Sequence, residues 1–311
     1  MEYPKNTFPG GVWPVMLTPF TEDNEIDEAG LRRLVDWYIE NGVTGLFAAC
    51  QSSEIFNLTF EECKRIISIT IEQTGGRVPV VASGIAADGL KEQAEEINQV
   101  WELGVDAVIL LTNRLASKKE SDEKWLENYY KLEKLIGPEI KLGVYECPQP
   151  YKRLLSVKVL KEISKTNRFY FLKDTCCTAS VIREKLESIK GTNLKLYNAN
   201  ATTVLQSLRD GAAGYSGVMA NFHPELWVWL TKKENFESKK AEEVQEVLMA
   251  ASLIERQLYP ANAKYHLQAV ENLPITTRCR NQDYTLLYET WKEEVHMLDS
   301  LCTRTYEQYC K

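Results

Sequence analysis

The stretch "FYFLKDTCC", residues 169–177, runs aromatic and aliphatic residues into Lys173 and then Asp174. A lysine held in an apolar strand end loses the hydration of its ammonium form, so its pKa falls and part of it is free amine. That amine attacks a carbonyl to form a Schiff base, and the protonated imine is an electron sink for making or breaking a carbon–carbon bond. Such chemistry needs a proton carrier. Tyr145 closes the preceding apolar run, "KLGVYE", and its hydroxyl is a candidate shuttle. In "CQSSE" (50–54), the hydroxyls of Ser52 and Ser53 and the amide of Gln51 are candidates for holding a 2-oxo acid's carboxylate. Other run ends offer Thr18, Glu146, Thr175, Asn198, Asn200 and Ser216.

Each has a plainer reading. Lys173 also fits a charge that marks a strand end, Tyr145 an amphipathic rim aromatic, and Ser52 and Ser53 turn or capping residues. His223, before Pro224, and the other two histidines read as structural or exposed, with no metal partner nearby in sequence. The eight cysteines form no CxxC pair, so a reduced chain without a structural metal or a cofactor is expected.

These residues sit at the ends of eight short apolar runs: "VWPVML", "TGLFAA", "VPVVAS", "DAVILL", "KLGVYE", "RFYFLK", "LKLYNA" and "AAGYSGV". Between them the apolar spacing is helical, as in Leu31, Leu34, Val35, Tyr38 and Ile39, or Leu90, Ala94, Ile97 and Trp101. Thr59 with Glu62 predicts a capping box. Glycines in "NGVTG", "LGVDA" and "DGAAG" stand where a helix should stop before the next strand. Repeated strand, helix and glycine turn is the pattern of βαβ units on a parallel sheet. An open doubly wound sheet also satisfies it. The count of eight, complete near residue 217, and the absence of GxGxxG after the first run favour a (β/α)8 TIM barrel. The catalytic barrel is expected over 1–235, with the charge-rich "TKKENFESKK" leading into a C-terminal helical region, 236–311, that packs on it.

A formal net charge of −7 argues against nucleic acid or an anionic membrane as a partner. The N-terminal "MEYPKNTFPGG" has no apolar targeting segment, and "AVILL" is too short to span a bilayer, so a cytoplasmic chain is expected.

The ordered set of run ends resembles the dihydrodipicolinate synthase and N-acetylneuraminate lyase family of pyruvate-dependent Schiff-base enzymes. "TPF" follows the first run; "CQSSE" stands where the family has G-[TS]-T-G-E, "YECP" where it has Y-N-[VI]-P, and "FLKDT" where it has I-x-[IV]-K-[ED]-[AT]. "GAAGYSGVMAN" matches its glycine-rich last strand. The resemblance implies that Lys173 forms the imine, that Tyr145 shuttles protons, and that Ser52 and Ser53 lie where pyruvate's carboxylate is bound. Thr175 and Ser216 would line the pocket, and the subunits would form a homo-oligomer, a tetramer or a dimer.

The departures bear on the second substrate. The family's carboxylate motif has lost both glycines, and Gln51 replaces a hydroxyl. Pro150 stands where the synthases place an arginine for the second substrate, with Lys152 and Arg153 as conceivable substitutes. "LTNRLAS" lacks the synthases' relay tyrosine, and "YNANATT" lacks the lyases' acidic pair. The expected function is therefore a class I lyase or aldolase acting on pyruvate or a 2-keto-3-deoxy acid, with Asn198, Asn200 and Gln51 suited to substrate hydroxyls. Two alternatives stand beside it: a dihydrodipicolinate synthase of lysine biosynthesis, and a binding or regulatory homologue without turnover.

Overall fold

The apolar runs become strands for the reason their composition gives: each is buried on both faces. The computed structural model describes residues 7–311; the start of the N-terminal stretch read for a targeting signal lies outside them. The strands are β1 (Gly11–Val12), β2 (Leu46–Ala48), β3 (Val80–Ala82), β4 (Ala107–Leu111), β5 (Leu142–Tyr145), β6 (Phe169–Asp174), β7 (Lys195–Asn198) and β8 (Gly214–Tyr215). All pair in parallel, in the order β1-β8-β7-β6-β5-β4-β3-β2. Hydrogen bonds from Met16 N to Phe47 O and from Phe47 N to Pro14 O tie the continuation of β1 to β2, so the ring closes. The fold is a (β/α)8 barrel and not an open sheet. At the β1–β8 seam a Cβ on Gly214 would overlap the Gly11 carbonyl, which requires glycine there. The first run yields only a two-residue strand because Pro14 has no N–H to continue the ladder.

Thirteen helices are assigned among the described residues: α1 (Glu28–Glu40), α2 (Phe60–Thr74), α3 (Leu90–Glu102), α4 (Thr112–Leu115), α5 (Asp122–Glu133), α6 (Val157–Lys165), α7 (Ala179–Ile189), α8 (Val204–Arg209), α9 (Pro224–Leu230), α10 (Lys233–Phe236), α11 (Lys240–Ala251), α12 (Ala261–Ala269) and α13 (Glu289–Tyr309). Leu31, Leu34, Val35 and Tyr38 form the buried stripe of α1, as their spacing predicts. The Thr59–Glu62 capping box opens α2, with Glu62 N donating to Thr59 Oγ1 (3.2 Å) and Thr59 N to Glu62 Oε2 (2.8 Å). Gly104 and Gly211 close α3 and α8 with φ of 97° and 104°, which a side chain would strain. The segment "TKKENFESKK" is no bare separator: it carries α10 and leads directly into α11. No helix of the described residues is long and apolar enough to cross a membrane.

Two apolar layers result. Inside the ring, Trp13, Phe47, Val81, Ile109, Phe171 and Tyr197 fill the axis, and the Phe171 and Tyr197 rings stack at 4.4 Å. Outside it, the other strand faces meet the helices. The last helices join this second layer: α13 buries Val295, Cys302 and Thr305 against its neighbours. A buried ion pair fixes their course. Lys264 of α12 donates to Glu54 Oε1 (2.7 Å), its ammonium 4.6 Å from the Phe20 ring, while Glu54 Oε2 accepts the backbone N–H groups of Arg280 and Asn281. The glutamate of "CQSSE" thus anchors the C-terminal segment to the loop after β2.

Removing the ammonium strands a buried carboxylate, the costly half of such a pair. Lys264→Met should lose about 3–5 kcal/mol of unfolding free energy in urea melts. The double variant Lys264→Met/Glu54→Gln should lose less than the sum of the two single changes.

Candidate active site

The C-terminal ends of β5 and β6 set the centre of the site. Their register places Tyr145 opposite Lys173, and on the other side Lys173 opposite Tyr197. Lys173 is 3% exposed, with Nζ 4.3 Å from the centroid of the Tyr145 ring and 5.9 Å from that of Phe47. Among the described residues it has no ion-pair partner. Burial lowers its pKa to about 8, with Cys50, Cys147 and Glu255 pulling weakly the other way. Burial raises the Tyr145 phenol well above its ordinary value, so it remains a donor. It donates to Gln51 Oε1 at 3.2 Å. The amide that replaces a hydroxyl in this motif is therefore the tyrosine's partner.

Successive residues of a strand face opposite ways, so Asp174 and Glu146 turn outward from the axis. Both meet Lys185 of α7, whose Nζ lies 2.6 Å from each carboxylate. Burial pushes the Lys185 pKa down, but the two carboxylates outweigh it and hold the ammonium above its ordinary value. Burial raises Glu146, with Lys185 opposing. Glu146 also accepts the N–H groups of Leu155 (2.8 Å) and Thr175 (3.1 Å). The Thr175 hydroxyl returns a bond to Glu146 O (2.7 Å). The ends of β5 and β6 are thereby clamped with Tyr145 and Lys173 in fixed apposition.

A cavity of about 280 Å³ opens above Lys173, near the lower edge of the ~300–1,000 Å³ usual for ligand pockets. Gln51, Ser52, Tyr145, Thr175 and Asn200 line it with the lysine. The other expected residues lie just behind. Ser53 is fully buried, its hydroxyl donating to Met16 O (2.6 Å) and accepting from Cys50 N (3.1 Å), so it shapes the loop. Asn198 spends its amide on Thr203, Ser207 and the Asn200 N–H. Ser216 is buried next to the lining residue Gly217, its hydroxyl unpartnered. Neither conceivable substitute for the missing arginine lines the cavity: Lys152 donates to Thr175 O, and Arg153 to the carbonyls of Ser117, Glu120 and Ser121. A larger hollow of about 560 Å³ borders Leu194 and Lys195 at the opposite, N-terminal end of β7, away from the strand ends that carry chemistry in barrels.

Among the lining residues not foreseen are Glu255, Tyr259 and Asn281. Tyr259 accepts from Asn221 Nδ2 (2.9 Å) and its hydroxyl meets that of Ser52, extending a buried polar chain to the cavity wall. Burial raises Glu255 to about 7, opposed by Lys173 and Arg256. Among the described residues the one group able to share a metal ion is His223, His266 and Asp299, with ligand atoms within 4.8 Å of one another. None of them lines the cavity.

Comparison with known proteins places this geometry. The profile of the Dihydrodipicolinate synthetase family matches residues 8–298. A 4-hydroxy-tetrahydrodipicolinate synthase of Methanothermobacter thermautotrophicus is 30% identical over 217 residues, 69% of this chain and 75% of that protein. The dihydrodipicolinate synthase DapA-2 of Bacillus anthracis superposes with a TM-score of 0.83 at 21% identity, covering 94% of this chain and 97% of the other. YagE, a prophage protein of E. coli K12 belonging to the dihydrodipicolinic acid synthase family and solved in complex with pyruvate, gives 0.83 at 21%, covering 95% and 98%.

With a pKa of about 8, roughly a tenth of Lys173 is free amine at pH 7, against about one part in 3,000 for an ordinary lysine. The amine form is gained as pH rises. Trapping of a 2-oxo acid on Lys173 by cyanoborohydride should therefore accelerate with pH to a midpoint near 8, followed by intact-mass spectrometry; a midpoint near the ordinary lysine value would contradict the assigned desolvation.

Proposed function

This chain belongs to the dihydrodipicolinate synthetase family, and on that premise we propose that it is a Schiff-base lyase of the class I aldolase type, with pyruvate or a 2-keto-3-deoxy acid as the imine-forming substrate. The observation that carries the proposal is the apposition of an unpaired, desolvated Lys173 with a protonated Tyr145 at the mouth of a closed barrel. The Lys173 amine attacks the 2-oxo carbon and loses water to give the imine. Tyr145 moves the protons of that step and of the C3 carbon, held in line by Gln51. The Ser52 hydroxyl faces the substrate's carboxylate from the cavity wall. Thr175 lines the wall, and Ser53, Asn198 and Ser216 support it from behind. No cofactor enters this chemistry, because the imine itself is the electron sink.

The second substrate is a hydroxylated aldehyde, not aspartate semialdehyde. The position that the synthases fill with an arginine holds Pro150, and among the described residues no cation other than Lys173 lines the cavity. A dihydrodipicolinate synthase activity is the second reading, favoured by the name of the Methanothermobacter relative. The chain acts in the cytoplasm as a homo-oligomer in either reading.

Two assays test this. Pyruvate with borohydride should add to Lys173 and to nothing in Lys173→Ala, while Cys176→Ser keeps most of its activity; a chain that forms no adduct with any 2-oxo acid is a binding homologue. Pyruvate and aspartate semialdehyde should condense far below about 1 per second, an ordinary enzymatic rate. Turnover at that rate would establish the synthase reading.

A further inference from the structure

Among the described residues, Glu255 is the one carboxylate on the cavity wall. It comes from the 3-10 turn Ser252–Arg256 that ends α11, outside the eight strand ends where barrel chemistry is ordinarily sought. Its side chain is half-buried and makes no hydrogen bond or ion pair among the described residues, although Lys173 is close enough to favour its ionised form. An unpaired carboxylate withdrawn from water is costly unless something else uses it. The groups facing it are Lys173 of β6, Cys177 in the loop that follows, Tyr215 of β8, Tyr259, and Arg256 beside it in the chain.

Resting on the Schiff-base reading above, we propose that Glu255 is a catalytic residue of the same site, taking the proton of the C4 hydroxyl in an imine-linked 4-hydroxy-2-oxo acid, and that it selects an aldehyde half without a carboxylate. In cleavage the Glu255 carboxylate removes the hydroxyl proton, the C4–O bond becomes the aldehyde carbonyl, and the C3–C4 bond breaks. Its electron pair moves into the C2–C3 bond, and the protonated imine is reduced in charge to a neutral enamine. A proton returned to C3 through Tyr145 restores the imine, and water releases pyruvate and the amine. The raised pKa of Glu255, about 7, lets it hold and give up this proton near neutrality. The cavity opposes an acidic aldehyde twice: among the described residues its lining has no second cation, and its wall carries the Glu255 carboxylate.

Glu255→Gln keeps the shape and removes the base. Two probes are used: the pyruvate adducts of glyceraldehyde, neutral in its aldehyde half, and of glyoxylate, which carries a carboxylate. The expected result is pyruvate trapping on Lys173 within about twofold of the native chain, with kcat for the glyceraldehyde adduct down about 100-fold or more and the acid limb of the pH–rate profile near 7 abolished. Glu255→Asp should recover part of the rate. The native chain should prefer the neutral adduct about tenfold or more, and Glu255→Gln should erode that preference. Cleavage by Glu255→Gln within about threefold of native, an unchanged pH profile, or equal loss of trapping and cleavage would overturn the proposal while leaving the imine reading intact. Absence of any pyruvate adduct in the native chain would overturn both.

Discussion

Everything in the site depends on Lys173 being left without a counter-ion. A carboxylate at contact distance would hold the ammonium form, and the amine would be lost. The sequence places acids dangerously near, at Asp174 and Glu146, the residues that follow Lys173 and its cross-strand neighbour Tyr145. Strand alternation turns both outward, and Lys185 collects them. That buried group holds two acids and one base, and its geometry is satisfied further by the N–H groups of Leu155 and Thr175. It costs desolvation, yet it keeps the two acids next in sequence from pairing with Lys173. The clamp also fixes the two strand ends laterally, so apposition and reactivity of the tyrosine–lysine pair come from one arrangement.

Low polarity around the lysine comes from segments distant in sequence. Phe47, Phe171 and Tyr197 from three strands, with Trp13 beyond β1, fill the axis beneath it and leave no space for bulk water. From the side, the chain around Tyr259 and Asn281 completes the wall, and its course is set by the Glu54–Lys264 pair. A buried ion pair at the edge of the site is thus linked to the electrostatics at its centre: loosening the C-terminal segment would admit water to Lys173 and return its pKa toward the ordinary value.

The strands and the polar residues at their ends were legible because both are written locally. Apolar runs ending in a polar residue give the strand and its polar tip together, and Lys173, Tyr145, Gln51, Ser52 and Thr175 at or just past such tips all line the cavity. Ser53 and Asn198 also sit at tips, but each found enough partners within its own loop to turn away from the cavity. Sequence spacing cannot reveal that competition. Lys185, Glu255 and Tyr259 were illegible for another reason. Lys185 lies on a helix where a lysine ordinarily faces water, and the other two lie in a segment that reads as a helical appendage; only the long-range packing brings them to the barrel mouth.

This division has a chemical consequence. The residues proposed to form the imine are held by β5, β6 and the loop after β2, whereas the cavity wall also draws on Glu255, Tyr259, Pro260 and Asn281. The first set can be retained while the second is rewritten, since neither Glu255 nor Asn281 bears on the β5–β6 register. Under the proposed function, Pro150 and Glu255 are two sides of one such rewriting: the arginine that the family resemblance implies is replaced, and a carboxylate lines the cavity. The proposed preference for a neutral, hydroxylated aldehyde rests on these two features, which lie on separate segments of the chain.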